Sequence, residues 1–124
     1  MPTVLIVDDE PSVRRTLRRL LELKGIGVVE AGSAAEALAA AAGASEVDAV
    51  VSDVMMPGVG GLAFYDELTR RAPLLAGRVV FLTGAAGIRS VHDSIEARGV
   101  PLLSKLDDLS LAVDAVMIAM LQSG

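Results

Sequence analysis

A chain of 124 residues is long enough for one domain with its own hydrophobic core, and 52% apolar against 22% charged residues excludes a disordered segment. Eleven Lys and Arg against 16 Asp and Glu leave a net charge of −5, a balance that gives no electrostatic footprint for nucleic acid, whose binding depends on clustered Lys and Arg. The absence of cysteine removes disulfides, zinc thiolates and thiol catalysis, and no apolar run approaches the roughly 20 residues that span a bilayer. No basic-then-apolar leader opens the sequence, so a cytoplasmic location with no membrane partner is expected. Aromatic residues are confined to Phe64, Tyr65 and Phe81, so the core is expected to be aliphatic.

The first element predicted is a strand over residues 3–8. Val4-Leu5-Ile6-Val7 is an unbroken apolar run of the kind buried on both faces of a sheet. It runs straight into Asp8-Asp9-Glu10, and Pro11 closes the run. Ligands of open α/β sheets bind beyond the carboxyl ends of the strands. The three acids therefore suggest a carboxylate cluster for a metal ion, with a plain helix-start cluster as the alternative. A helix over 11–24 follows, with Val13, Leu17, Leu20 and Leu21 on one face and Arg14, Arg15, Arg18 and Arg19 largely on the other, most simply as a solvated face. Gly25 and Gly27 end it.

Residues 27–31 form a second strand, polar enough for a sheet edge. Ser33-Ala34-Ala35-Glu36 is a capping box that starts an alanine-rich helix reaching about residue 42. The third strand, 47–52, runs into Asp53. Met55-Met56-Pro57-Gly58-Val59-Gly60-Gly61 reads as a loop, and a helix over 62–71 stops near Pro73. The fourth strand, 78–82, delivers Thr83. After a loop at 84–87 come a helix over 88–98, ended by Gly99, and a fifth strand over 100–104 that delivers Lys105. The last helix, 107–122, carries Leu109, Ala112, Val113, Val116, Met117 and Met120 in helical register. Strands alternating with helices this regularly imply βαβ units and a parallel sheet covered on both faces. His92, the one histidine, falls in a helix away from the strand ends and reads as a surface residue.

Four of the five strands thus end in a polar residue: the pair Asp8-Asp9, then Asp53, Thr83 and Lys105. A parallel sheet places all of them at one rim. In this order and at these intervals, together with Met56-Pro57-Gly58 and Gly61 after Asp53, the chain resembles the receiver domain of two-component response regulators. The resemblance covers the whole chain. It implies a flavodoxin-like, doubly wound α/β fold: a five-stranded parallel sheet in the order 2-1-3-4-5 with five helices. It also implies Asp53 as phosphoacceptor and a histidine kinase or phosphotransfer protein as partner.

The residue types agree with that chemistry. Two carboxylates at 4 Å repel by about 4 kcal/mol at an effective dielectric of about 20. Lys105 offsets one of the three charges, and the remainder matches one divalent cation, for which oxygen ligands and a phosphate partner favour Mg²⁺. Asp8, Asp9, Asp53 and the backbone carbonyl of Met55 are its expected ligands. Thr83 is expected to donate its hydroxyl to a phosphoryl oxygen and draw its loop inward. Apart from its own phosphorylation and dephosphorylation, the chain is expected to catalyse nothing.

Two positions depart from the family pattern. Leu102 stands where receivers carry Tyr or Phe, and Leu106 stands where proline follows the lysine. With no proline, a cis bond after Lys105 costs about 3 kcal/mol, so a trans bond and a displaced loop are expected. These departures suggest a receiver of impaired switching, acting as a phosphate sink or docking module. Leu111, Ala115 and Ile118 add an apolar flank to the last helix, fit either for a dimer or effector contact on the face of the fourth helix, fifth strand and last helix, or for deeper burial. An aspartyl-nucleophile phosphatase is a remote alternative, since such enzymes place their two acids two residues apart after the first strand, where this chain has Glu10. No Ser/Thr-rich phosphate loop for a flavin follows that strand.

Overall fold

Strand and helix alternate along the chain as predicted. The structure, a computed structural model, describes residues 2–42, 47–54, 60–84, 95–105 and 108–122. The elements are β1 (Thr3–Val7), α1 (Pro11–Leu23), β2 (Gly27–Ala31), α2 (Ala34–Ala42), β3 (Ala49–Asp53) and α3 (Gly61–Arg71), then a 3-10 turn at Pro73–Leu75 and β4 (Val79–Thr83). Helical residues 95–97, labelled α4, and then β5 (Leu102–Ser104) and α5 (Ser110–Gln122) complete the order. All pairings are parallel, and the five strands lie in the order β2-β1-β3-β4-β5. The polar strand β2 is at an edge, as its composition predicts.

The strand period of two divides the core into two layers. Leu5, Val7, Val50, Val79 and Phe81 face Ala34 and Ala37 of α2, Phe64, Tyr65 and Leu68 of α3, and Ile95 of α4. Val4, Ile6, Val51, Val80 and Leu82 face Leu17 and Leu21 of α1 and Ala112, Val113 and Val116 of α5. The core is aliphatic apart from Phe64, Tyr65 and Phe81. The Tyr65 and Phe81 rings meet at 5.8 Å between centroids and a tilt of 56°, within the range of favourable aromatic pairs. On α5 the flank of the core stripe turns outward: Leu111 is 48% and Ile118 53% exposed. The flank is split between the two alternatives, since Ala115 between them is half-buried and packs on the core while Leu111 and Ile118 form an exposed apolar surface.

Caps and turns set the boundaries. Ser33 Oγ accepts from the Glu36 amide at 3.2 Å, and the Glu36 carboxylate reaches back to the Gly32 amide at 2.9 Å, one residue further than a simple capping box. α4 ends with Gly99 at φ +68°, its amide bonded to Glu96 O and that of Val100 to Ile95 O. Glycine adopts this left-handed cap without a Cβ penalty, and Gly25 (φ +76°) closes α1 in the same way. Because the Val100 amide is used there and Pro101 has no N–H, β5 starts at Leu102 rather than at residue 100. The Arg78 amide likewise bonds Leu75 O, so β4 starts at Val79. Asp53 is the last residue of β3, opposite Leu82, and not the first residue after it.

Candidate functional site

Strand register builds the site. Val7 lies opposite Ser52, so the next rung sets Asp8 beside Asp53. Thr83 lies opposite Ser104, and Lys105 follows. The Asp8 amide bonds Ala31 O at 3.1 Å, and the Lys105 amide bonds Thr83 O at 2.9 Å, which holds both backbones one residue past their strands. Asp8 is 1% and Asp53 2% exposed.

The Lys105 ammonium unites the acids. Its Nζ lies 2.9 Å from Asp8 Oδ2, 2.9 Å from Asp53 Oδ2 and 2.8 Å from Glu10 Oε1. It donates directed hydrogen bonds to Glu10 and Asp53. Toward Asp8 it is close but out of line, so Asp8 Oδ2 is buried with charge nearby and no hydrogen-bond donor. Asp8 Oδ1, by contrast, accepts the Glu10 amide at 2.8 Å. Burial pushes the Asp8 carboxyl above its ordinary value, against the opposing pull of that amide and of Lys105. Burial alone would lower the Lys105 value, but Glu10, Asp8 and Asp53 outweigh it and hold the amine above its ordinary range.

Asp9 and Glu10 are exposed at the mouth of the site, and Asp8, Asp9 and Glu10 can each place an oxygen within 4.8 Å of the others. An oxygen-only cluster in which one buried carboxylate oxygen has an ion-pair partner but no directed hydrogen bond is a donor set that fits a hard divalent cation. Thr83 is fully buried at the same rim, with its hydroxyl donating to Gly84 O at 3.2 Å.

Two supports lie behind these groups. Gly61 starts α3 directly against the end of β3, and a Cβ on it would lie 2.6 Å from both Asp53 O and Val54 Cα. Its amide bonds Val54 O at 2.8 Å. On the other side Arg14 Nη1 donates to Asp8 O at 2.6 Å, and Arg14 Nε and Arg18 Nη1 bond the Glu30 carboxylate of β2 at 3.2 and 2.6 Å. Two of the four arginines expected on a solvated face therefore tie α1 to the edge strand and to the site.

The structure thus brings Asp8, Asp53 and Lys105 into contact, sets Thr83 at the same rim, and leaves Asp9 at the mouth. Met55, with Met56, Pro57 and Gly58, His92 and Leu106, and with it the bond after Lys105, lie outside the described residues. Sequence reasoning put Glu10 in the acid cluster but not against Lys105, and it did not place Arg14 in the site. For Arg14 the available signal was its position one helical turn after the acids.

Comparison with known proteins assigns the chain to a family. Residues 4–116 match the family model for the response regulator receiver domain. The C4-dicarboxylate transport transcriptional regulatory protein DctD of Rhizobium meliloti is 32% identical over 84% of this chain and 22% of its own length. The transcriptional regulatory protein FixJ of Azorhizobium caulinodans is 32% identical over 91% of this chain and 52% of its own length. The chain therefore spans about a fifth of one relative and about half of the other. A response regulator receiver domain protein from Clostridium thermocellum superposes with a TM-score of 0.85 over 98% of this chain and 96% of its own, at 24% identity, which speaks for the fold. With the family pattern matched over nearly its whole length, the chain belongs to the receiver domains of two-component response regulators.

Proposed function

We propose that this receiver accepts a phosphoryl group on Asp53 from a phosphohistidine of a histidine kinase or phosphotransfer protein. The observation that carries the reading is the Lys105 ammonium, held 2.9 Å from both Asp53 and Asp8 at the rim of the sheet. An Asp53 carboxylate oxygen attacks phosphorus, the donor P–N bond breaks, and its electron pair leaves with the imidazole. Such transfers are promoted mainly by positioning and by neutralising charge on the phosphoryl oxygens. Lys105 supplies a fixed cation beside the attacking oxygen. Asp8, Asp9, Asp53 and the Met55 carbonyl are the groups that would hold Mg²⁺, which when bound would screen the carboxylates and the phosphoryl oxygens from one another. Thr83 Oγ1 would leave Gly84 O and donate to a phosphoryl oxygen. The chain would act on no other substrate.

The test is incubation with a small phosphodonor, with and without Mg²⁺, read by intact mass. One phosphoryl group per chain is expected, only with the metal, and none in Asp53→Asn. Repeated turnover of phosphate esters would instead favour a phosphatase.

Leu102 favours a second reading, in which phosphorylation is kept and its output is weak. It is half-buried beside a groove of about 220 Å³ lined by Ile95, Glu96, Val100 and Leu102 itself. A leucine there has no ring to swing inward when Thr83 moves. Leu102→Tyr is expected to enlarge the phosphoryl-induced change in amide exchange across α4, β5 and α5 several-fold. An unchanged exchange map sinks this reading. The exposed Leu111 and Ile118 on α5 would then serve a docking partner or a second copy.

A further inference from the structure

We propose that Glu10 is an internal competitor for Lys105, a positioning residue that occupies the ammonium an incoming phosphoryl group needs and so slows phosphorylation of Asp53. This rests on the receiver reading above and deepens it.

The ammonium has three N–H donors and three carboxylates around it. Asp8 and Asp53 are buried side chains on backbone fixed by the sheet. The Glu10 side chain is 55% exposed and approaches from solvent. Its backbone is held, because Glu10 is the N-cap of α1 before Pro11 and its carbonyl accepts from the Val13 and Arg14 amides at 3.2 Å. Its carboxylate makes no capping hydrogen bond to the helix. Across 95 residues of chain it bonds Lys105 at 2.8 Å instead, the shortest contact that the ammonium makes. Glu10 is thus the one acid of the three that can leave by rotating its side chain alone.

Phosphorylation replaces the Asp53 carboxylate by an acyl phosphate that carries a charge of about −1.5 to −2 beside the same ammonium. That charge repels Glu10 and competes with it for the same N–H donors. Before transfer, the donor phosphoryl meets a cation already engaged and a carboxylate at the mouth. Occupation of Lys105 by Glu10 therefore weakens attraction of the phosphoryl group at the moment when the cation is most useful.

The experiment measures the rate of phosphorylation by a small anionic phosphodonor at saturating Mg²⁺, for the wild-type chain, Glu10→Gln and Glu10→Asp. Glu10→Gln is expected to be roughly 5- to 10-fold faster, with the gain shrinking as salt screens the competition. Glu10→Asp keeps the charge but loses one methylene of reach, and is expected to accelerate as well. Unfolding temperatures within a few degrees of wild type would set aside a general structural effect, which would slow the reaction. Equal or slower phosphorylation of Glu10→Gln overturns the competition while leaving the receiver reading intact, and so does a wild-type rate in Glu10→Asp, which would point to net charge without contact. Failure of every variant, wild type included, to take up a phosphoryl group overturns the receiver reading, and the competition with it.

Discussion

Lys105→Met is expected to lose about 3–5 kcal/mol of stability at neutral pH in metal-free buffer, measured by urea denaturation. Removing one partner of a buried ion pair leaves the other charge uncompensated, and that is its usual cost. Here two buried carboxylates, Asp8 and Asp53, lose the same partner. The loss should depend on pH in a stated direction. Burial already raises the Asp8 value above its ordinary 3.8, so the folded state holds its proton more tightly than the unfolded chain. Stability from such a group is greatest near and below that ordinary value and falls as pH rises through the raised one. In Lys105→Met the opposing pull of the ammonium is gone, so the fall should steepen. The gap from wild type should narrow as pH approaches 4 and widen toward 7. Addition of Mg²⁺ should return part of the lost stability, since a ligand of the folded state alone adds to it. A variant as stable as wild type at pH 7 would mean that the acids relax into solvent and that the ammonium is not their anchor.

Gly61→Ala is the second large effect. The added carbon would stand 2.6 Å from Asp53 O and Val54 Cα. Both obstacles are backbone, so no side chain can rotate away. Either the start of α3 withdraws, breaking the Gly61 amide bond to Val54 O, or the end of β3 shifts with Asp53 on it. Overpacking of this kind costs roughly 1–3 kcal/mol. We expect a destabilisation in the upper part of that range, seen as a lower midpoint in urea. Phosphoryl uptake should fall more steeply than stability, because reaction geometry tolerates little displacement of the attacking atom. Full uptake in a destabilised Gly61→Ala would show that α3 yields and β3 does not.

Most of the architecture was legible because local and global signals agree. The apolar run Val4 to Val7, rich in β-branched residues, located β1, although the strand ends at Val7 and not at the predicted residue 8. Gly25 and Gly99 end helices because the left-handed caps they form suit no other residue as well. The boundaries that shifted did so where a backbone amide was claimed elsewhere, as at Val100 and Arg78. At residue 48 the side chain decided instead: the Asp48 carboxylate accepts the Thr3 amide at 2.7 Å, and β3 begins at Ala49. The outward flank of α5 was undecided because that helix is apolar around most of its circumference, and only packing on β3 and β4 selects a face. Within the site, Asp8, Asp53 and Lys105 were visible as strand ends at matched intervals. Glu10 was visible as a member of the acid cluster but not as a partner of Lys105, which is 95 residues away, and its place before Pro11 also has an ordinary explanation as a helix start. Arg14 was marked only by its position one helical turn after the acids, which does not show that its guanidinium turns back to the Asp8 carbonyl.

The lysine that gathers these acids hangs from the weakest part of the sheet. β5 is three residues long, half-buried throughout, and paired only with β4. Little apolar burial holds it in place, and the Lys105 side chain ties it across two neighbouring strands to β1 and α1. The edge of the sheet is therefore fastened by the charge of the site. Whatever discharges or redirects that ammonium alters how often β5 opens, and amide exchange at residues 102–104 becomes a local gauge of the ionic state several strands away.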